Sequence, residues 1–185
     1  MSQPRVFPIL ETENLVLREM TVEDLTFYHA HFNKPEIVMG TCIPGPADMI
    51  NAKAEFEKFI LNPWRNETGL RWGIMLRKEH RLSDTCGIYD WDHVNRRAEI
   101  GYDLDPPYWG RGIMTEAVKA MLCYGFLEMN LNRIQAIIDY ANDRSIRLVE
   151  RLGFKQEGVF RQRSFFNGEF RNDILFSLLR KDWRI

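Results

Sequence analysis

The stretch DPPYWGRGIMTEAVKAMLCYGF occupies residues 105–126. A strand-like segment closes on Pro106 and Pro107, the aromatic pair Tyr108 and Trp109 leads into Gly110-Arg111-Gly112, and a long apolar helix pattern starts at once. Glycine reaches positive φ and lets a backbone approach a ligand closely. A helix N-terminus exposes unpaired N–H groups at the positive end of the macrodipole. The combination predicts an anion site, and a phosphate is its natural occupant. Taken alone, the loop is equally well explained as a tight strand-to-helix turn in which the two glycines only meet φ demands.

Working outward, NLVLREM (14–20) alternates apolar and polar residues and reads as a strand. Thr21 and Asp24 form a capping-box pattern for a helix running to Phe32, and GTCIPGP (40–46) reads as a break. Asp48 opens a second helix that Pro63 is expected to end. Three short strands follow at 70–77, 85–92 and 98–105, with connections suited to antiparallel neighbours. The helix after the glycine loop spans about 112 to 129, and RIQAIID (133–139) is a strand. NDRSIRLVERLGF (142–154) is a helix with Asn142 as N-cap and a Schellman ending at Gly153-Phe154. A hairpin around Asn167-Gly168 closes the chain. The order β-α-α-β-β-β-α-β-α-β-β predicts one α/β (α+β) domain over residues 1–185, with a twisted, mostly antiparallel central sheet flanked by helices.

Composition removes several functions. The 185 residues are 45% apolar and 28% charged, and 25 basic against 26 acidic residues leave a net charge of -1. No global basic field is present to hold nucleic acid, so an acidic ligand must be held locally. No signal peptide or membrane-spanning run is legible, so no membrane partner is expected. Cys42, Cys86 and Cys123 form no CxxC pair, which points to a reducing, cytoplasmic setting. The histidines show no ligand spacing, and no metal is expected. A Walker-type phosphate loop is absent, and the G-x-G-x-x-G pattern fails at Thr115.

AEIGYDLDPPYWGRGIMTEAV followed by NDRSIRLVERLGF resembles the GCN5-related N-acetyltransferase (GNAT) family, in its branch similar to ribosomal-protein N-terminal acetyltransferases. The resemblance extends from NLVLRE to FSLLRKDW and implies acetyl-CoA as cosubstrate. The loop amides from Trp109 through Gly110, Arg111, Gly112, Ile113 and Met114 to Thr115 would hold the diphosphate. Pro107 stands where the family usually has Gln or Arg. Tyr102 and Leu104 on the preceding strand, with Asn142 and Ser145 on the later helix, are the further coenzyme contacts it implies.

Acetyl transfer to an amine needs a base for the nucleophile, oxyanion stabilisation and a proton for the leaving thiolate. The strand period sets Glu99, Gly101 and Asp103 on one face, and the resemblance puts Glu99 beside the acetyl group as the base. A structural ion pair with Arg96, Arg97 or another strand's arginine is the competing role. The thiolate-protonating tyrosine of many family members is replaced by Val149, which leaves the Ser145 hydroxyl, or else Ser145 is a first-turn capping residue. Asn142 is a pantetheine contact, a plain N-cap, or both. Trp72, Asp90 and Trp91 are the acceptor-side candidates, and Asp173 reads as structural. The cysteines read as packing residues, so direct transfer in a ternary complex is expected. The acceptor is a protein N-terminal α-amine, or alternatively a small amine such as a polyamine or an aminated antibiotic. A non-catalytic acyl-CoA-binding module is the rival from another class. The expected partners are acetyl-CoA and the amine, with a homodimer allowed.

Overall fold

The computed structural model describes residues 6–184. The domain reading of 1–185 and the signal-peptide reading extend over residues 1–5 and 185, which lie outside the described residues. Eight strands form one sheet: β1 Leu10–Glu11, β2 Leu15–Glu19, β3 Leu70–Leu76, β4 Arg81–Asp92, β5 Arg97–Asp103, β6 Arg133–Asp139, β7 Lys155–Phe166 and β8 Glu169–Leu179. Six α-helices accompany it: α1 Leu25–Phe32, α2 Pro35–Thr41, α3 Met49–Phe56, α4 Asn62–Arg65, α5 Ile113–Leu127 and α6 Asp143–Arg151. The strand order is β1-β2-β3-β4-β5-β6-β8-β7, and every neighbouring pair is antiparallel except β5 with β6. This α+β architecture, with a mostly antiparallel sheet between helices, is the one the sequence predicts.

Strand periodicity decides what each face carries. Leu70, Trp72, Ile74 and Leu76 of β3 join Ala117, Val118, Met121 and Phe126 of α5 in the larger apolar core. Gly73 faces the other way, where an added Cβ would sit 2.6 Å from Leu82 and 3.0 Å from Met20. On that side Met20, Tyr28, Ala52, Phe56 and Ile60 build a second core under α1 and α3.

The parallel pair creates the opening. β5 and β6 pair only at Arg97–Arg133, Ala98–Ile134 and Glu99–Gln135. Past Glu99, β5 stays on β4 as far as Asp103, while β6 stays on β8 as far as Asp139. The strands therefore part, and their free inner edges border a wedge whose end is met by the N-termini of α5 and α6.

Local signals are realised with some corrections. Asn142 caps α6 by accepting from the Ser145 N–H at 3.2 Å. The helix closes as a Schellman motif, with Phe154 N–H to Val149 C=O at 3.0 Å, Gly153 N–H to Glu150 C=O at 3.0 Å, and Gly153 at φ 89°. The β7–β8 turn has Asn167 at φ 51° and Gly168 at φ 82°, the two positive values a type I′ turn requires. Thr21 N–H donates to Asp24 Oδ2 at 2.9 Å, but Val22–Asp24 is a 3₁₀ turn before α1 begins. Pro63 does not end its helix. Residues Glu57–Leu61 widen into a π turn and α4 continues to Arg65 with Pro63 in its first turn, where a missing N–H is tolerated. The break read at 40–46 overlaps the end of α2, a helix opened by Pro35 that the sequence reading did not include. β4 also starts four residues earlier than the strand expected from Thr85.

Candidate functional site

The glycine loop takes the conformation its residues suggest. Pro106–Tyr108 is a 3₁₀ turn, and the Trp109 indole N–H donates to the Leu104 carbonyl at 2.7 Å. Gly110 and Gly112 lie at φ 73° and 79°, and Gly112 is the N-cap of α5. A Cβ at either position would meet nothing within 4 Å, so the glycines meet a φ demand and leave the loop's open side clear.

That open side faces a cavity of about 1010 Å³ lined by Trp109, Gly110, Gly112, Ile113, Met114 and Thr115, by Tyr102 and Leu104 of β5, and by α6 from Asn142 through Ser145. A second cavity of about 620 Å³ adjoins it on the α1–α3 side. The two share Gly40, Thr41, Tyr102, Asp139, Asn142 and Ser145. The Asn142 Nδ2 donates to the Gly40 carbonyl at 3.0 Å, which ties α6 to the end of α2 across this junction.

Arg144, Arg147 and Arg151 of α6 also line the first cavity. Their spacing of three and four puts them on one helix face, a signal the sequence reading did not use. The Arg144 guanidinium lies over the Trp109 ring at 3.5 Å from its centroid. Arg111, expected among the coenzyme contacts, instead rests over the Tyr108 ring at 5.3 Å, and it does not line either cavity. The N-terminus of a fifteen-residue helix and three guanidinium groups give the first cavity donor chemistry that fits a diphosphate.

Glu99 sits one layer behind the second cavity. Its Oε1 accepts from the Tyr89 phenol at 3.0 Å and its Oε2 from the Gln135 amide at 3.2 Å. Burial pushes the Glu99 carboxyl up, and these two hydrogen bonds only partly oppose it. Tyr89 lines the cavity and Glu99 does not. Among the described residues no ion pair joins Glu99 to Arg96, Arg97 or another strand's arginine: Arg97 pairs with Asp92 at 3.3 Å, and Arg163 acts on the Glu99 carboxyl only at longer range. Tyr89 reaches Glu99 across Gly101, where a Cβ would lie 2.9 Å from the tyrosine ring. Beside it, Asp90 takes φ 49° in a β4 bulge and lines the second cavity. Bulges re-aim side chains in this way near binding sites.

The tryptophans fall elsewhere. Trp72 is fully buried in the main core, its indole N–H donating to the Pro8 carbonyl at 2.8 Å. Trp91 stacks on His93 at 3.9 Å and packs against the same core. Neither lines a cavity, because the β3 alternation turns Trp72 toward α5 and the β4 bulge turns Trp91 away from Asp90. Asp173 is buried and accepts from Ser164 Oγ at 2.8 Å and Arg163 at 3.2 Å, bonds that suit its structural reading.

At the junction, half-buried Ser145 lies in the first turn of α6, and the Tyr102 phenol donates to its carbonyl at 3.4 Å. Burial pushes the Tyr102 phenol up, so it stays protonated through neutral pH. Burial likewise raises the Cys42 and Cys86 thiols, the reverse of what activates a cysteine nucleophile.

Residues 14–155 match the model of the acetyltransferase (GNAT) domain family. The chain is 33% identical over 175 residues to the uncharacterized N-acetyltransferase YoaA of Bacillus subtilis (strain 168), covering 95% of this chain and 98% of that protein. It is 36% identical over 96 residues to the spermidine N(1)-acetyltransferase of Escherichia coli (strain K12), covering 52% of each. Among solved structures, spermidine N-acetyltransferase from Vibrio cholerae, in complex with CoA and spermine, superposes with a TM-score of 0.83 at 20% identity over 92% of this chain and 98% of that one. Ribosomal-protein-S5-alanine acetyltransferase from Vibrio fischeri does so with 0.82 at 22% identity over 97% and 100%. The chain belongs to the GNAT acetyltransferase family. The likeness spans both its ribosomal-protein and polyamine branches, which broadens the single branch the sequence suggests. Among the described residues no helix is long and apolar enough to cross a membrane.

Proposed function

We propose that this protein transfers the acetyl group of acetyl-CoA to a primary amine of a small, aliphatic polycation of the polyamine kind. One observation carries the choice of acceptor. Glu55 and Asp90 both line the second cavity, and among the described residues neither has an ion-pair partner. The other carboxylates there are matched, Asp139 by Arg171 at 3.1 Å and Asp173 by Arg163 at 3.2 Å. Two unmatched carboxylates in a confined cavity suit a ligand with more than one ammonium group. The similarity to a spermidine acetyltransferase over 96 residues supports the same reading.

In this reading, the loop at 109–115 and the α6 arginines bind the coenzyme, which supplies the thioester when bound. The junction residues orient its reactive end toward the second cavity. An incoming ammonium group meets Tyr89, and the proton passes through the phenol to Glu99, whose carboxyl is pushed up by burial, the direction that makes it a stronger base. Ser145 and Tyr102 stand where the departing sulfur needs a hydrogen-bond donor. Starting from the ammonium, the nitrogen loses two protons in each transfer: the one taken by Glu99 before attack returns to solvent, and the one lost after attack is balanced by the proton given to the thiolate.

A protein N-terminal amine is the second reading, favoured by the shared fold with the S5-alanine enzyme. Thiol release with spermidine, spermine, a monoamine and a peptide bearing a free N-terminus separates the two. The polyamines are expected to give kcat/KM at least about tenfold above the peptide, a 1.4 kcal/mol preference. Asp90→Asn should raise KM for spermidine while leaving coenzyme affinity unchanged. A preference for the peptide overturns the polyamine reading, and no thiol release with any amine overturns transfer itself.

A further inference from the structure

His31 near the end of α1, Asp84 of β4 and Asp105 after β5 come together in the interior, beside Asp103, which lines the first cavity. His31 and Asp84 are fully buried and Asp105 is 8% exposed. Among the described residues, three buried side-chain atoms have no hydrogen-bond partner: His31 Nδ1, Asp84 Oδ2 and Asp105 Oδ1. They belong to these same three residues, whose donor atoms lie within 4.8 Å of one another. His31 Nδ1 and Asp105 Oδ1 are 3.4 Å apart, without hydrogen-bond geometry. Leaving several buried polar atoms unpaired is costly, and their convergence on one point indicates a common partner.

The surroundings have the form of a metal site. His31 Nε2 is 2.5 Å from Asp103 Oδ1, and with that nitrogen's hydrogen engaged, a neutral imidazole presents the Nδ1 lone pair to the two carboxylates. A carboxylate holding one ring nitrogen so that the other can ligate is the usual arrangement behind a metal-bound histidine. Asp103 is itself fixed by Arg71 and by Thr85 Oγ1 at 2.7 Å. Asp84 keeps its other oxygen on the Asp105 N–H at 2.6 Å, which fixes the rotation of its carboxylate. Lys34 pairs with the second oxygen of Asp105 from the solvent side, its side chain 38% exposed, and it can withdraw to open a path and rebalance the charge. Ligands about 2.0–2.2 Å from an ion lie at most about 4.4 Å apart, so closure of the three donors needs only a small contraction.

We infer that His31, Asp84 and Asp105 form a buried binding site for a divalent transition-metal ion of the zinc or manganese kind, clamping α1 to β4 and to the turn that follows β5. One imidazole and two carboxylates favour such an ion over magnesium or calcium, which prefer oxygen-only sets. The absence of a ligand spacing in the sequence does not argue against it, because the three residues come from distant segments. The site is independent of the acceptor reading, and its test does not use acetyl transfer.

The full-length protein, stripped with a chelator and dialysed, is titrated separately with Zn²⁺, Mn²⁺ and Mg²⁺ by calorimetry, alongside Asp84→Asn. One equivalent of Zn²⁺ or Mn²⁺ is expected to bind at least about tenfold more tightly than Mg²⁺ and to raise the melting temperature. Asp84→Asn keeps the acceptor for the Asp105 N–H and should weaken binding by about tenfold or more. No uptake of either transition ion, unaltered binding by the variant, or preference for Mg²⁺ overturns the site. Should the variant fail to fold, anomalous scattering from Zn²⁺-soaked crystals of the parent decides: a peak among the three donor atoms sustains the site, and a peak elsewhere or none overturns it.

Discussion

The Tyr89 phenol donates a 3.0 Å hydrogen bond to Glu99 Oε1, so the tyrosine stands between the buried carboxylate and the cavity that Tyr89 itself lines. This relationship makes a two-residue proton path testable. Glu99→Gln should lower kcat by about 10²–10⁴-fold, and Tyr89→Phe should lower it in the same direction with coenzyme affinity retained. The carboxyl is held above its usual value of 4.5 by burial, so the folded state binds this proton more tightly than the unfolded chain. Its contribution to stability therefore falls as pH rises through the interval from 4.5 to the raised folded value. Glu99→Gln is thus expected to melt at or above the parent's temperature at neutral pH while losing activity and the acidic limb of its pH–rate profile. A lower melting temperature with kcat retained would make Glu99 structural.

The same path depends on the bare backbone at Gly101. A Cβ there would lie 2.9 Å from the Tyr89 ring and 3.2 Å from its hydroxyl, so the tyrosine must move. Gly101→Ala should therefore copy Tyr89→Phe in its kcat loss, with binding of the coenzyme in the first cavity preserved. Parent-like turnover in Gly101→Ala would show that the Tyr89 position is not critical.

Most of the fold was legible because it follows from short-range chemistry. Asn142, Gly153 and Asn167-Gly168 each carry a signal within a few residues of the structure they form. The alternation in β5 likewise separated Glu99, Gly101 and Asp103 from the core-facing Ala98 and Ile100. The π turn before Pro63 was less visible, since a proline in a helical pattern signals a stop as readily as a new first turn. Of the candidate site, the glycine loop and Asp90 could be read, whereas the placement of Tyr89 between Glu99 and the second cavity could not. That placement depends on the β4 bulge and on the register that sets Tyr89 opposite Glu99. Trp72 and Trp91 were assigned by topology without knowing which sheet face each would take, and both turned to the core. His31, Asp84 and Asp105 share no sequence spacing at all, and only the packing of α1 on the sheet unites them.

Gly112 provides a test of the coenzyme cradle. Its φ of 79° is one that β-branched residues rarely adopt, although no neighbour lies within 4 Å of an added Cβ. Gly112→Val should distort the first turn of α5 and weaken acetyl-CoA binding by about tenfold or more, measured by calorimetry. Unchanged affinity would remove the loop from coenzyme binding.

Glu157 gives a prediction about acid stability away from the site. Hydrogen bonds from Arg133 at 2.6 Å and from Ser177 Oγ at 2.6 Å hold its carboxyl down to about 2. A depressed folded value contributes stability above the unfolded value of 4.5, and that contribution is lost as pH falls from 4.5 toward about 2. The Glu157 side chain is 39% exposed, so solvent screening limits the pair to about 0–1 kcal/mol. Glu157→Gln should lower the melting temperature slightly at pH 7, with the difference from the parent shrinking across that acid interval. A gap that stays constant with pH would assign the effect to packing.

The leaving group provides the last test, because Ser145 and Tyr102 meet where the two cavities join. Ser145 supplies a hydroxyl in the first turn of α6, while its own N–H is held by Asn142 at 3.2 Å. The cap belongs to Asn142, so Ser145→Ala should leave the melting temperature nearly unchanged, whereas Asn142→Ala should lower stability by about 1 kcal/mol. If the serine hydroxyl serves the departing thiolate, Ser145→Ala lowers kcat with coenzyme affinity retained. Tyr102→Phe removes a phenol that burial keeps protonated, and it also removes the 3.4 Å bond to the Ser145 carbonyl. A loss in Tyr102→Phe alone would assign the proton to the tyrosine, and a loss in Ser145→Ala alone would assign it to the serine. Equal losses with no further loss in the double variant would mean that the two act as one unit. Parent-like kcat in both single variants would leave protonation of the thiolate to water.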